Sequence, residues 1–274
     1  MTRRVALIGK PLKRRHSVVM HNAAFDAAGI DGRYELLEID EDAVADAVQA
    51  AHGSNWLGLG VTAPYKKVVA GLVDEVEDDA REIGAVNNVV RTESGRLIGF
   101  NSDAPGFRAG VELALGRPLA GMEVVVAGAG GAAHAVVHAL EQAGVAGLTI
   151  GNRSTPAAVG KRSAVALDSA DFGAALRSAD LAVNATTVGM IDPGWTIDVA
   201  ALPDHATVFD LVYVPFETPL LAAARARGLR AANGSEMLIA QAAIAFERWT
   251  GVGGMADVMR EAVMPLFADA TTAA

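Results

Sequence analysis

The chain contains no cysteine, which excludes disulfide frameworks, thiolate catalysis and cysteine-ligated zinc together. None of its 274 residues belongs to an uninterrupted apolar run of the roughly 18 that a membrane helix needs. The apolar stretch behind Met1-Thr2-Arg3-Arg4 ends at Gly9, before Lys10, too short for the core of a secretory signal. A cytoplasmic location is therefore expected, with no membrane partner. Basic residues are outnumbered, 23 Lys+Arg against 32 Asp+Glu, for a net charge of −9; the basic face of a nucleic-acid binder is missing. Prolines number only 10 against 29 glycines, a balance suited to an α/β protein with many tight strand-to-helix turns. With 51% apolar and 20% charged residues, the chain can bury a core and is not broadly disordered. At roughly 150 residues per domain it makes one large or two modest domains.

Short apolar runs alternate with helical stretches from the start. Strands are expected at Val5–Gly9, Tyr34–Ile39 and Leu57–Val61, and helices at Val18–Ala28 and Ala43–Ala51, the latter capped by Asp40 or Asp42. This alternation predicts βαβ units and a largely parallel sheet. A helix over Ala104–Leu115 leads to strands at Glu123–Ala127, Leu148–Gly151, Leu181–Ala185 and Val208–Val212, with helices again at Met237–Trp249 and Met255–Phe267. The alanine-rich tail beyond Asp269 is expected to fray. The expected architecture is two α/β lobes. Residues 1–103, completed by helices in 235–274, form a substrate-binding and catalytic domain, and residues 104–234 a Rossmann-type dinucleotide-binding domain.

The glycine-rich turn carries the first functional signal. Gly128-Ala129-Gly130-Gly131-Ala132-Ala133 follows an apolar strand and opens a helix. In that context the first glycine makes the turn, the second lets backbone approach a pyrophosphate, and the third small residue packs helix on strand. A tight turn without a ligand is the plainer reading. The end of the next strand sharpens the choice. An NAD-preferring site usually places an acid there, but the sequence is Asn152-Arg153-Ser154-Thr155. Arg153 offers a guanidinium to a 2′-phosphate, and Asn152 and Ser154 offer hydrogen bonds. NADP is favoured over NAD. Lys161 and Arg162 either add positive field or belong to a solvated helix surface.

In the first lobe, Val61-Thr62-Ala63-Pro64-Tyr65-Lys66-Lys67 lies at the C-terminal end of a strand, where open α/β sheets bind ligands. A lysine there can exchange a proton when desolvation lowers its pKa. Gly84-Ala85-Val86-Asn87-Asn88 and Gly99-Phe100-Asn101-Ser102-Asp103 are rich in small polar groups. Taken singly, such residues are ordinary turn and surface chemistry.

Taken in order, they resemble the shikimate dehydrogenase family, including its quinate/shikimate branch, over nearly the whole chain. The matching motifs begin with Gly9-x-Pro11, Ser17 and His21-Asn22, then Val61-Thr62-x-Pro64-x-Lys66, Gly84-Ala85-Val86-Asn87 and Asn101-x-Asp103-x-x-Gly106-Phe107. They continue with Gly128-Ala129-Gly130-Gly131, Asn152-Arg153-Ser154, Asn184-Ala185-Thr186-x-x-Gly189-Met190 and Asp210-x-x-Tyr213-x-Pro215-x-x-Thr218-x-x-Leu221. Met237-Leu238-x-x-Gln241-Ala242 and Trp249-Thr250-Gly251 close the set. The resemblance implies an NADP-dependent oxidoreductase acting on a small ring hydroxy-acid, the interconversion of 3-dehydroshikimate and shikimate. It implies a setting in chorismate and aromatic amino-acid biosynthesis, or in quinate catabolism, and a monomer or homodimer. It further implies Lys66 as the acid/base group with Asp103 as its partner. Asn87 and Gln241 would bind ring hydroxyls; Ser17, Thr62 and Tyr213 would bind the carboxylate end; Thr186 and Gly234 would lie at the cofactor. No metal is implied. A polyhydroxylated acid needs several such donors and acceptors, each costly to leave unpaired.

Three departures mark this chain. The family has Ser-x-Ser-Pro ahead of the histidine; read without gaps, this chain has Arg15-His16-Ser17-Val18, and a one-residue shift aligns His16-Ser17 instead. Arg15 either binds a carboxylate in bidentate fashion or points outward with Lys10, Lys13 and Arg14. The family's Asn-Val-Thr is Gly60-Val61-Thr62 here. The arginine after the glycine-rich loop is His134, which either touches cofactor phosphate or covers the helix surface, with His138 one turn on. The first two fall in the substrate segment, so altered substrate preference (quinate, or an amino-substituted analogue) competes with shikimate. A non-catalytic cofactor-binding member is opposed by the retention of Lys66 and Asp103. Amino-acid and folate dehydrogenases, also two-lobed and NADP-using, do not share the motif order.

Overall fold

A computed structural model describes residues 2–13, 15–190, 192, 194 and 196–272, with side chains through Phe267. Met1, Arg14 of the basic cluster, and Ala273-Ala274 of the tail lie outside the described residues. The chain divides into two compact units, Met1–Ser102 with Ile239–Pro265, and Asp103–Leu238 with Leu266–Ala274.

The first unit opens with strand β1 (Arg3–Gly9), helix α1 (His16–Ala27), strand β2 (Gly32–Glu38), helix α2 (Val44–Ala50) and strand β3 (Trp56–Val61). Asp40 stands at the N-cap of a short 3₁₀ turn, Glu41–Ala43, rather than of the helix, and its side chain makes no cap hydrogen bond. Helix α3 (Lys66–Ala70), strand β4 (Glu75–Val76), helix α4 (Asp78–Ile83) and strands β5 (Asn88–Arg91) and β6 (Leu97–Phe100) follow. The sheet order is β2-β1-β3-β5-β6-β4. Strand β1 is parallel to β2 and β3, whereas β5 is antiparallel to both β3 and β6. The sheet is thus parallel-rich, as expected, with β5 as an antiparallel insertion. The physical reason is a hairpin: Thr92 and Arg96 bond across a tight turn at Gly95, whose φ is +85°, and a turn that short can only join antiparallel strands.

One face of this sheet packs Ile8, Leu59, Val61 and Val89 against Val44, Val48 and Val69. The other carries an aromatic cluster. His21 stacks on Tyr34 at 4.3 Å and lies 5.2 Å from Trp249, while Phe25 meets Phe246 edge-on at 5.0 Å. The Trp249 indole N–H donates to the Val89 carbonyl at 2.9 Å. Gly58 makes room for that approach, since a Cβ there would collide with both Val89 O and the indole nitrogen.

The second unit begins with helix α5 (Asp103–Leu115), strand β7 (Glu123–Ala127), helix α6 (Gly131–Gln142) and strand β8 (Gly147–Asn152). Strands β9 (Ala157–Val159) and β10 (Arg162–Ala166), helix α7 (Ala170–Leu176) and strands β11 (Leu181–Asn184) and β12 (Thr207–Asp210) come next. Helix α8 (Pro219–Ala226) and strand β13 (Arg230–Asn233) precede helices α9 (Ser235–Thr250) and α10 (Ala256–Thr272). The sheet order is β13-β12-β11-β7-β8-β10-β9, parallel throughout except for β9 against β10. Its first six strands run in the dinucleotide-binding order, with the chain reversing direction across the sheet at β7 and β11.

Lys161 and Arg162 lie on the β9–β10 hairpin and not on a helix, and Arg162 pairs with Glu141 at 2.6 Å. Helix α10 continues through Thr272, past the point where fraying was expected. Its end groups with the second unit because Phe267 packs on Tyr213 at 5.9 Å and on Phe216 at 5.6 Å. The second unit starts at Asp103, one residue ahead of the expected 103/104 boundary, and the chain returns to the first at Ile239, four residues past the expected 234/235 boundary.

His21 is 2% exposed, its Nδ1 has no hydrogen-bond partner, and burial lowers its pKa from 6.5 to about 3. The unfolded chain therefore binds the proton first as pH falls, so stability is full above about pH 6.5 and declines toward about pH 3. At pH 4.5 this residue alone should remove about 2–3 kcal/mol relative to pH 7. Urea unfolding of His21→Phe at the two pH values should show the acid loss reduced by that amount. Identical losses in variant and wild type would refute the assignment.

Candidate active site

In the first unit Thr62, Lys66 and Asn87 lie around the C-terminal end of β3, where Val61 N donates to Asn87 O at 2.8 Å. Thr62 N donates to Ile8 O at 2.9 Å and Lys10 N to Ala63 O at 3.2 Å, which ties the loop after β3 to the end of β1. Lys66 is the first residue of the short helix α3; it is half-buried, and its carbonyl accepts from Val86 N at 2.9 Å. That bond draws the Gly84–Asn87 segment alongside.

Asn87 is 5% exposed and its amide is almost fully committed. Its Oδ1 accepts from Asn88 Nδ2 and from Ser102 N, both at 2.8 Å, and its Nδ2 donates to Ser102 Oγ at 3.2 Å. Ser102 Oγ also accepts from Asn88 Nδ2 at 2.8 Å and donates to Gln241 Oε1 at 3.2 Å. Two residues expected to bind substrate, Asn87 and Gln241, are thus joined through the fully buried hydroxyl of Ser102, for which no role was expected from the sequence. The available signal was its place between Asn101 and Asp103. An asparagine amide has two N–H donors, so one N–H of Asn87 has no partner among the described residues.

Arg15 occupies the N-cap position of α1, is exposed, and makes no side-chain cap bond. With Asn22, Arg33 and Glu35 it borders a hollow of about 340 Å³ beside β2, the edge strand of the sheet. Neither Thr62 nor Asn87 lines that hollow. Ser17, in the first turn of α1, is half-buried. Lys10 of the same basic segment is paired with Asp40.

Asp103 is the first residue of the second unit and stands in the first turn of α5. At the strand reversal, Gly128 has φ +115°, and a Cβ there would lie 2.9 Å from Thr186 Cγ2; turn geometry and close approach both require glycine. Gly130 and Gly131 differ. Neither has a positive φ, and a Cβ on either would meet nothing within 4 Å. The protein's own packing does not call for glycine there, whereas a group seated on the backbone would. Gly130 is the N-cap of α6 with no side-chain cap bond, no acid stands in the first turn, and Ala133 packs the helix down at 0% exposure. Ala129 is half-buried and Ala132 exposed on the same turn. A pyrophosphate fits these unmet N–H groups.

At the end of β8, Asn152 Nδ2 donates to Ser154 O at 2.7 Å, and Arg153 is exposed with no ion pair among the described residues. Thr186 is fixed by Asn184, its Oγ1 donating to Asn184 Oδ1 at 2.7 Å. Gly234 is demanded by packing, because any Cβ would run into the Leu211 carbonyl. Tyr213 lies edge-on to Phe267. His134 and His138 are both half-buried on α6. Among the described residues no group of three or more His, Asp or Glu side chains is placed to hold a metal ion, and no helix is long and apolar enough to cross a membrane.

The shikimate dehydrogenase substrate binding domain model matches residues 7–89, and the shikimate 5'-dehydrogenase C-terminal domain model matches residues 234–264. Shikimate dehydrogenase (NADP(+)) of Geobacter sulfurreducens is 38% identical over 278 aligned positions, covering 96% of each chain. A crystal structure of shikimate 5-dehydrogenase from Thermus thermophilus, in complex with NADP(H) and shikimate, is 36% identical with a TM-score of 0.86, covering 96% of this chain and 99% of that one. Quinate dehydrogenase from Corynebacterium glutamicum, in complex with NAD, is 35% identical with a TM-score of 0.87, covering 96% and 99%. Identity of this extent, across both units and through the glycine-rich turn, makes the chain a member of the shikimate dehydrogenase family.

Proposed function

We propose that this chain catalyses the NADP-dependent interconversion of 3-dehydroshikimate and shikimate. The observation that carries the reading is its full-length likeness to a relative solved with both NADP(H) and shikimate. In this reading the first unit binds the acid and the second binds the dinucleotide. NADP, when bound, supplies or accepts the hydride. The pyrophosphate rests on the N-terminus of α6 over Gly130 and Gly131, while Arg153, Asn152 and Ser154 hold the 2′-phosphate. Lys66 takes the carbinol proton during oxidation and returns it during reduction, with Asp103 orienting the ammonium group. The remaining Asn87 N–H and the Gln241 amide hold ring hydroxyls, and Ser17, Thr62 and Tyr213 receive the carboxylate end.

A second reading keeps this chemistry and changes the acid. Gly60 leaves out a side chain on the strand that ends just before Thr62, and quinate dehydrogenase is nearly as similar to this chain as the shikimate enzyme. Turnover of shikimate, quinate and amino-substituted analogues with NADP and with NAD decides between the two. On our reading shikimate with NADP gives the highest kcat/KM.

Lys66→Ala should lower kcat by about two to four orders of magnitude, the effect of losing a positioned acid/base, with NADP affinity nearly unchanged. More than half the activity remaining would sink the assigned role. Asp103→Asn should raise KM and lower kcat together; an effect confined to melting temperature would make Asp103 a helix-end residue only.

Arg153→Ala should weaken NADP by about tenfold to a hundredfold, equivalent to roughly 1.5–3 kcal/mol for a charge-assisted hydrogen bond. Isothermal titration should show NAD binding unaltered, because NAD has no 2′-phosphate. Equal weakening of both cofactors would show that Arg153 supports the fold instead.

A further inference from the structure

Side chains alternate along a strand, and Thr62, the residue after β3, prolongs the pairing with β1 through its N–H to Ile8 O, so positions 60 and 62 fall on one side. Residue 60 is glycine, and a Cβ built on it would lie 2.7 Å from the Tyr34 hydroxyl and 3.1 Å from Leu7 Cδ1. Tyr34 therefore reaches from β2 across β1 and fills the volume that a side chain at position 60 would take. An asparagine at position 60 cannot be accommodated while the phenol stands there.

Tyr34 is held through both its backbone and its ring. The Asn22 amide accepts from Tyr34 N at 2.8 Å and donates to Tyr34 O at 3.1 Å. His21 stacks on the ring at 23°, and Trp249 closes over it at 5.9 Å. Tyr34 is only 3% exposed as a residue and its hydroxyl has no hydrogen-bond partner among the described residues, yet the oxygen is not fully enclosed, unlike His21 Nδ1. Such a hydroxyl bonds to water in the free protein and can exchange that water for a ligand oxygen. Burial also pushes its ionisation upward, so the group remains a neutral phenol that can donate. Its nearness to position 60, two residues before Thr62, puts that exchange at the end of β3.

We propose that Tyr34 is a substrate-positioning residue whose Oη, admitted by Gly60, hydrogen-bonds the polyhydroxylated acid held beside Thr62. The proposal rests on the reading of Thr62 and Asn87 as substrate ligands. It also accounts for the shortened residue 60: the polar group at that spot is delivered from β2 instead of from β3.

Steady-state kinetics on the full-length Tyr34→Phe protein test it. The KM for shikimate, or for quinate if that is the better substrate, should rise about three- to tenfold, the range of one neutral hydrogen bond. The change in kcat should be under about twofold, and the KM for NADP and the melting temperature should stay unchanged. Gly60→Ala, which displaces the hydroxyl, should raise KM similarly in the wild-type background and add nothing in the Tyr34→Phe background. An unchanged KM in Tyr34→Phe, a defect that appears only as a lowered melting temperature, or fully additive effects of the two substitutions would overturn the proposal while leaving the functional reading intact. If neither acid is turned over or raises the melting temperature of the wild-type protein, the functional reading falls and the proposal with it.

Discussion

One hydroxyl, Ser102 Oγ, sets the polar geometry of the first unit. It receives Asn87 and Asn88 and gives its own proton to Gln241, a residue 139 positions away. Because the hydroxyl is fully buried, these bonds act in a low effective dielectric and are costly to break. The consequence is positional. Asn87 cannot rotate without giving up the two bonds to its Oδ1, so its remaining N–H points where the backbone of β5 and β6 dictates. In the proposed function this matters, since donors that are already oriented lose little freedom when a ligand arrives.

The second unit has its own buried anchor. Asp210 is 0% exposed, and burial raises its pKa, while bonds from Thr218 Oγ1 at 2.6 Å, Asn184 Nδ2 at 2.9 Å and Val212 N at 3.0 Å oppose that rise. The same Asn184 fixes Thr186 through its other amide atom. Thr186 in turn crowds Gly128. A buried carboxylate thereby determines the shape of the turn at the strand reversal, two strands away from its own position.

Glycines in this chain divide by what surrounds them. Gly128 and Gly234 are required by the protein itself, one by backbone sign and close approach, the other by a neighbouring carbonyl. Gly130 and Gly131 face open space and have ordinary backbone angles. Gly60 belongs to a third kind, a space occupied by a side chain from another strand. Their chemistry as residues is identical; their roles follow from the atoms within reach of a Cβ.

The sequence by itself determined the elements whose signals are local. Strand β7 and the glycine turn after it follow from an apolar run ending in Gly128-x-Gly130, and β1, β3, α5 and α6 follow from periodicity that tertiary contacts only reinforce. It also determined the family, because motif order along a chain needs no coordinates. The four-residue strands β5 and β6 were not legible, since such short runs around Asn88 and Gly99 carry too little pattern to separate from turns. Only the tertiary structure decided that this sheet is mixed, because strand direction depends on a hairpin closing at Gly95. It alone joined Asn87 to Gln241 through Ser102, and brought Tyr34 over Gly60. These are relations between residues far apart in the chain, and no local propensity encodes a distance between strands.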